Sequence, residues 1–279
     1  MSYFNMFPTQ TYDYNRDGVL QTVVDLYRSV RPIQNFIDDL AAYTYVNIPN
    51  GERPDILSQR LYNTSEFHWT FFLVNDFLHE GISAWPMSQE DHEQYITTHY
   101  NGYALETRPD IVRNTDGGIT NYKDSLAGRF KLGETITGQT SGATGTLTKK
   151  DIYLNQLVVQ DVTGTFLGAG DGNTLEAVTG STSTDTVTCH IAWDYADAPH
   201  HWYVSGDETE AHVSNANFFS VHDDSNTAQI LLEGSVAAAA YTSNRAYIHN
   251  LNDQRSKIRV VNPNFMAAFK RTFESLINA

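Results

Sequence analysis

Few residues in this chain carry chemistry at a spacing that could use it, and each candidate has to be judged by its neighbours. Asp13-Tyr14-Asn15-Arg16-Asp17-Gly18 places oxygen ligands at alternate positions before a bend glycine. That is how the first half of an EF-hand calcium loop surrounds a hard cation. Position twelve of such a loop needs a bidentate glutamate, and here it is Val24, with Asp25 one residue late. An Asx-rich turn ahead of a helix is the better reading. Cys189-His190 and His200-His201 form the densest histidine group, but no C-x-x-C or H-x-x-x-H pair supplies half of a tetrahedral site. Adjacent histidines on an extended chain point to opposite faces, so His200 and His201 are expected to be packing or surface residues.

Nucleophilic and phosphate chemistry fare no better. Cys189 beside a histidine lacks an oxyanion loop and reads as a small buried apolar residue. Gly138 to Gly145 has neither a G-K-[ST] ending nor the strand-to-helix context of a nucleotide cradle, and Gly168-Ala169-Gly170-Asp171-Gly172 fails likewise; both read as hairpin turns. Asp38-Asp39 and Asp223-Asp224 have no second carboxylate pair placed opposite them. The expectation is no catalytic, cofactor-binding or metal site and no enzyme activity.

The elements around these residues are more informative. Val19, Leu20, Val23, Val24, Tyr27 and Val30 recur at helical spacing until Arg31-Pro32, predicting a helix, and Phe36, Ile37 and Leu40 predict a short helical turn. Tyr43 to Ile48 reads as a strand. Pro54 then opens a helix carrying Ile56, Leu57 and Leu61, Asn63-Thr64-Ser65 stops and restarts it, and Phe67, Phe71 and Val74 make a second helix ended by Asn75-Asp76. Ile82 to Trp85 reads as a closing strand, giving a β-α-α-β order. Ser88 with Asp91 is a capping box that starts a helix running to about Thr98.

From about Lys123 to Thr188 the chain turns to Gly, Thr and Ser interleaved with single apolar residues, as in short β-strands. Glu134-Thr135-Ile136-Thr137-Gly138 recurs as Glu176-Ala177-Val178-Thr179-Gly180, each copy followed by a Thr/Ser-rich turn. An antiparallel barrel or sandwich of about six strands, inserted at a loop of the host fold, accounts for this pattern. The host fold is expected to resume at Ile191-Ala192-Trp193, followed by the aromatic run Pro199 to Tyr203 and an Ala-rich helix over Val236 to Tyr247. Lys257 to Val261 reads as a strand. Asn262-Pro263 then caps a last helix with Phe265, Phe269, Phe273 and Leu276 on one stripe.

The chain has 279 residues, 41% of them hydrophobic, enough for a packed core in one large or two ordinary domains. Eighteen basic residues against 33 acidic ones give a charge of −15, which argues against nucleic acid or an anionic membrane as partner. From Asn252 onward the sign reverses, with Arg255, Lys257, Arg259, Lys270 and Arg271 against Asp253 and Glu274. One cysteine excludes an internal disulfide framework and suits folding in a reducing cytoplasm. The start of the chain lacks the pattern of a signal peptide, and no stretch is apolar enough to span a membrane, so a soluble chain is expected.

Two separated patches carry a resemblance. Arg53-Pro54, Leu61-Tyr62-Asn63, Trp69, Val74-Asn75-Asp76 and Trp85 in the first, and Asn252 to Val261 with the helix after it in the second, resemble the LysM-like baseplate wedge proteins of T-even-type contractile-tailed phages (myoviruses). The resemblance covers roughly residues 1 to 105 and 190 to 279 and does not extend to the Gly/Thr-rich stretch between them. It implies an α+β host fold, with a LysM-like core at about 43–87 in an N-terminal region, 1–122, and a C-terminal region, 191–279, completing it, around the inserted β module that the Gly/Thr pattern places at 123–190. It also implies a virion protein, made in the host cytoplasm, that joins baseplate wedge and hub-proximal proteins into a ring of several copies around the tail hub. No cofactor or small-molecule substrate is expected. Arg255, Lys257 and Arg259 alternate along one strand and are the candidates for partner contact. LysM modules also bind N-acetylglucosamine polymers between two loops, so peptidoglycan binding is the alternative, and a bacterial contractile-injection component is a third. Against the glycan reading, Trp69, Phe71 and Phe72 fall within a helix, where they build core, and the module is embedded rather than repeated in tandem.

Overall fold

The computed structural model describes residues 3–28, 42–107, 110–113, 119–123, 126–168, 175–207, 209, 212, 229–232 and 235–279. The chain is mixed α+β and divides into two compact units, Met1–His92 with Asn250–Ala279, and Glu93–His249.

The first unit follows local rules closely. Strand β3 (Tyr43–Asn47) leads to helix α1 (Pro54–Tyr62), where Pro54 occupies the first turn and Asn63, at φ 57°, supplies a left-handed C-cap whose N–H reaches Gln59 O. Thr64 caps a 3-10 turn by accepting from Glu66 N, and α2 (Trp69–Val74) follows. Leu57, Phe71 and Leu78 are fully buried in one cluster with Trp85, Ile258 and Val260. Helix α3 (Gln89–His99) starts as expected: Ser88 Oγ accepts from Asp91 N (3.1 Å) and donates to Asp91 Oδ2 (2.7 Å). At the other end of the chain, α4 (Asn244–Ser256) runs into β15 (Lys257–Val261), which pairs antiparallel with β3. Asn262 caps the next turn by accepting from Asn264 N. Helix α5 (Met266–Ile277) then buries Met266, Phe269, Phe273 and Ile277, while Phe265 and Leu276 lie at the exposed margin of that stripe.

Two expectations in this unit fail. Residues 19–24 are not helical: β1 (Thr9–Tyr12) and β2 (Gln21–Val24) form a hairpin. Asp13 accepts from Asp17 N and Gly18 N, Gly18 sits at φ 81°, and this turn folds the β-branched run Thr22-Val23-Val24 back on β1. Val30 and the segment with Phe36, Ile37, Asp38, Asp39 and Leu40 lie outside the described residues. Ile82 to Trp85 is not a strand either; Gly81–Ala84 is a 3-10 turn entered through Gly81 at φ 70°. The strand that pairs with β3 is therefore β15.

The second unit contains a closed barrel built from β4 (Tyr103–Thr107), β7 (Thr135–Gly138), β8 (Thr144–Asp151), β9 (Gln156–Thr163), β10 (Glu176–Gly180) and β11 (Thr186–Asp194). All neighbours are antiparallel, in the order β10-β11-β4-β9-β8-β7. The barrel begins before residue 123, since β4 is one of its strands, and Ile191-Ala192-Trp193 still belong to β11 rather than to a resumed host fold. Alternation of buried and less buried positions along β7, β8 and β10 fills the interior with Ile136, Leu147, Leu157, Val159, Val178, Val187 and Cys189.

Outside the barrel, β5 (Asp110–Arg113) pairs with β6 (Ile119–Lys123), and β12 (Pro199–Val204), β14 (Ser235–Ser243) and β13 (Gln229–Leu232) form a three-stranded sheet in the order β12-β14-β13. The Ala-rich run expected to be helical is β14. Alanine's advantage in a helix over most residues is only about 0.5 kcal/mol per position. Pairing on both edges of a central strand outweighs it. The helix starts only at Asn244.

Candidate partner-binding surface

The β3–β15 ribbon carries two of the three basic candidates, and its hydrogen-bond parity decides what it exposes. Ile48 N donates to Ser256 O and Asn262 N to Ala42 O, so the antiparallel ladder uses the even-numbered residues of both strands. The peptide groups of Lys257, Arg259 and Val261 therefore face away from β3, and those of Tyr43, Tyr45 and Asn47 face away from β15.

The outer edge of β15 is occupied. Buried Asn75, at the end of α2, donates to Arg259 O (2.8 Å) and accepts from Arg259 N (2.9 Å), so its carboxamide stands in for a neighbouring strand. The same amide donates to Phe71 O. Tyr62 donates its hydroxyl to Val261 O (2.8 Å), and burial holds that phenol well above its ordinary pKa. Sequence alone presents Asn75 as a helix terminator; its second role needs a strand 184 residues away.

The three candidates differ in exposure and bonding. Arg259 is half-buried, donates to Val74 O (2.7 Å) and lies over the Tyr43 ring at 4.9 Å. Lys257 is exposed and lies 5.8 Å from the Tyr45 ring centroid. The two share a face, as strand alternation requires. Arg255 does not join them by that rule, because the strand starts at Lys257 and Arg255 sits half-buried in the last turn of α4. Among the described residues neither Arg255 nor Lys257 has a carboxylate within ion-pair distance.

The β1–β2 hairpin adds a second exposed surface that helical spacing concealed. Its base is anchored: Asp25 N donates to Pro8 O, Arg28 Nη1 donates to Ile277 O, and Met6 and Phe7 enter the core with Trp69 and Phe273. Beyond that base every side chain of β1 is exposed, and Tyr12, Tyr14, Val19, Leu20 and Val24 present apolar surface to solvent.

A third feature is a shallow groove of about 430 Å³ lined by Arg53, Pro54, Asp55, His68, Phe72 and Ile82, between the start of α1 and the turn after α2. Arg53 and Asp55 form an ion pair there at 3.2 Å.

Elsewhere the structure redistributes the candidate chemistry. His200 and His201 touch, with Nδ1 atoms 3.0 Å apart, because a register shift between Pro199 and His201 breaks strict alternation. His200 stacks on Tyr247 (3.7 Å, 8°) and His201 on His212 (3.8 Å, 13°). Burial, aided by His201, His212 and Lys149 against the opposing pull of Asp151, brings the His200 pKa down to about 4. Among the described residues no three His, Cys, Asp or Glu side chains are placed to hold a metal ion. Cys189 is fully buried, and burial with Glu176 and Glu106 nearby pushes its thiol pKa far up, opposite to what a nucleophile needs. Asp223-Asp224 and Ala169 to Gly172 lie outside the described residues.

The repeated glutamates have a structural task. Glu134 accepts from Thr182 N, Ser183 N and Ser183 Oγ, in the turn after β10, and from Lys131 N. Glu176 accepts from Ser141 N and Ser141 Oγ, in the turn after β7, and from Leu167 N. Each copy of the repeat thus braces the turn of the other. Gly138 and Gly180 make the room: a Cβ at Gly138 would lie 2.5 Å from Ser141 Oγ and 2.6 Å from Glu176 Oε2, and one at Gly180 would lie 2.5 Å from Ser183 Oγ.

No protein-family model matches the chain, and no curated protein matches it.

Proposed function

We propose that the chain is a structural subunit of a phage tail baseplate wedge, joining neighbouring wedge subunits into the ring around the tail hub. One observation carries this reading. The two sequence patches that resemble baseplate wedge proteins meet in one compact unit and interlock through Asn75 with Arg259, Tyr62 with Val261, and Met87 N with Asn252 Oδ1 at 2.8 Å. Strand β3, the two helices and β15 follow one another as β-α-α-β once the long segment between them is set aside, which supports a LysM-like core. Lys257 on the surface and Arg255 beside it, both without a carboxylate partner among the described residues, suit a contact with acidic neighbours. The reading requires no catalysis, cofactor, nucleic acid or membrane. The test is to locate the chain by cryo-electron microscopy of intact particles. Density at the tail baseplate, between wedges, is the expected outcome, and absence of the chain from tail particles would overturn the proposal.

The groove at Arg53, Phe72 and Ile82 favours a second reading, binding of a peptidoglycan glycan. It lies between the start of α1, one face of α2 and the turn after it, and offers an aromatic face beside charged groups. Calorimetric titration with soluble peptidoglycan fragments separates the two: saturable heat lost in Phe72→Ala supports glycan binding, and no heat leaves the assembly role.

A further inference from the structure

Two β ribbons in the first unit consist of two strands each. Among the described residues the β1–β2 hairpin pairs with no further strand, and β3–β15 is likewise two-stranded. An isolated two-stranded ribbon is marginal in water unless a third strand or a packed helix supports it; β3–β15 packs on α1 and α2, whereas the hairpin beyond its base is exposed. The ribbons differ in what they lack. β15 has its outer edge filled by Asn75 and Tyr62, whereas among the described residues nothing pairs with the outward peptide groups of Tyr45 and Asn47. The strand's own residues offer that edge little protection: Tyr43-Thr44-Tyr45-Val46-Asn47 contains no charge, no proline and no bulge, and Tyr45 is 67% exposed. In the hairpin, Asp25 N donating to Pro8 O sets the parity, so the peptide groups of Thr11 and Thr22 face its two open sides.

We propose that copies of this chain join by strand addition, the β1–β2 arm of one molecule adding to the open edge of β3 in another. The strands match in length, four residues against five. Their charges are complementary, since the arm carries Asp13 and Asp17 against Arg16, Asp25 at its base being paired with Arg28, while Lys257 and Arg259 flank Tyr45 and Tyr43 on the ribbon. The exposed Tyr12, Val19, Leu20 and Val24 lose water as the arm docks. The contacting surfaces differ, so the joint is head-to-tail and closes as a ring or as a reciprocal pair. It stands on this β geometry alone and holds whichever reading of the function is correct.

Sedimentation velocity on the purified full chain over a concentration series tests it. The wild type associates. Tyr45→Pro removes one outward N–H while leaving the β15 ladder, and Thr11→Pro with Thr22→Pro disables the arm; each variant alone sediments as a monomer, with at least a tenfold loss of affinity. Mixed in equal amounts the two variants form a heterodimer, because one intact arm and one intact edge remain. A second measurement avoids mutation: amide exchange at Tyr45 and Asn47 slows as wild-type concentration rises. A wild type that stays monomeric, a variant that associates as the wild type does, a mixture that does not pair, or exchange at Tyr45 indifferent to concentration would each overturn the proposal.

Discussion

The carboxamide of Asn75 meets the backbone of Arg259 twice, donating to its carbonyl at 2.8 Å and accepting from its N–H at 2.9 Å. A side chain at the end of a six-residue helix thereby does what a third strand would do for β15. Replacing it with alanine leaves Arg259 N–H, Arg259 C=O and Phe71 C=O without this partner. Asn75→Ala should cost about 2–4 kcal/mol, the range for several unmade bonds at a buried site, and urea unfolding monitored in the first unit reads it.

Arg259 differs from the other two basic candidates. Its guanidinium donates to Val74 O and covers Tyr43, so Arg259→Glu should lower the melting temperature of the first unit. Arg255→Glu with Lys257→Glu should leave the melt unchanged and, on the proposed assembly role, weaken pull-down with baseplate wedge subunits. Undiminished pull-down by that pair would remove those residues from the interface.

Glu134 predicts an acid response in the barrel. Burial works to raise its pKa, but the N–H groups of Ser183, Lys131 and Thr182 and the Ser183 hydroxyl hold it below the ordinary 4.5. A carboxylate lowered in the folded state contributes stability that is present above the unfolded value and lost as pH falls through the folded one. Glu134→Gln should therefore flatten the decline in barrel stability below pH 4.5, and thermal melts across that range check it. Gly180→Ala should destabilise the same turn, because its added carbon meets Glu134.

His200 acts in a higher window. Its pKa of about 4 in the fold lies below the ordinary 6.5, so the unfolded chain takes up the proton first and stability falls as pH drops from 6.5 toward 4. His200→Phe keeps a ring against Tyr247 and removes the titration. The variant should show a weaker pH dependence between those values, while losing at every pH the contact that His200 Nδ1 makes with His201 Nδ1.

Cys189, fully buried in the barrel, should react with a thiol reagent only as fast as the barrel opens. Labelling of the native chain in mildly alkaline buffer is expected to be slow and to accelerate sharply with denaturant.

What the sequence made legible was local. Pro54 and Asn63 bound α1, Ser88 and Asp91 start α3, Asn262 and Pro263 open the last turn, and the Glu134/Glu176 repeat with its Gly/Thr punctuation announced a barrel or sandwich of about six strands, which is a closed barrel. Each depends on residues a few positions apart or on a literal repetition. The failures depend on partners that the local pattern does not specify. Val19, Leu20, Val23 and Val24 fit both a helical and a strand period, and the Asp13–Gly18 turn decided between them. Ala237 to Ala240 became a strand because β12 and β13 flank it. The candidate surface was half legible: Lys257 and Arg259 share a face as expected, but the arm at Tyr12 and the open edge at Tyr45 emerge only once strands are paired.

Because 184 residues separate Asn75 from Arg259, the first unit cannot be finished while the ribosome is still reading through the barrel. Strand β3 waits unpaired through most of synthesis, shielded by nothing in its own sequence. A message cut short anywhere before β15 yields a chain whose two helices lack their floor, so only translation products that reach it complete the first unit.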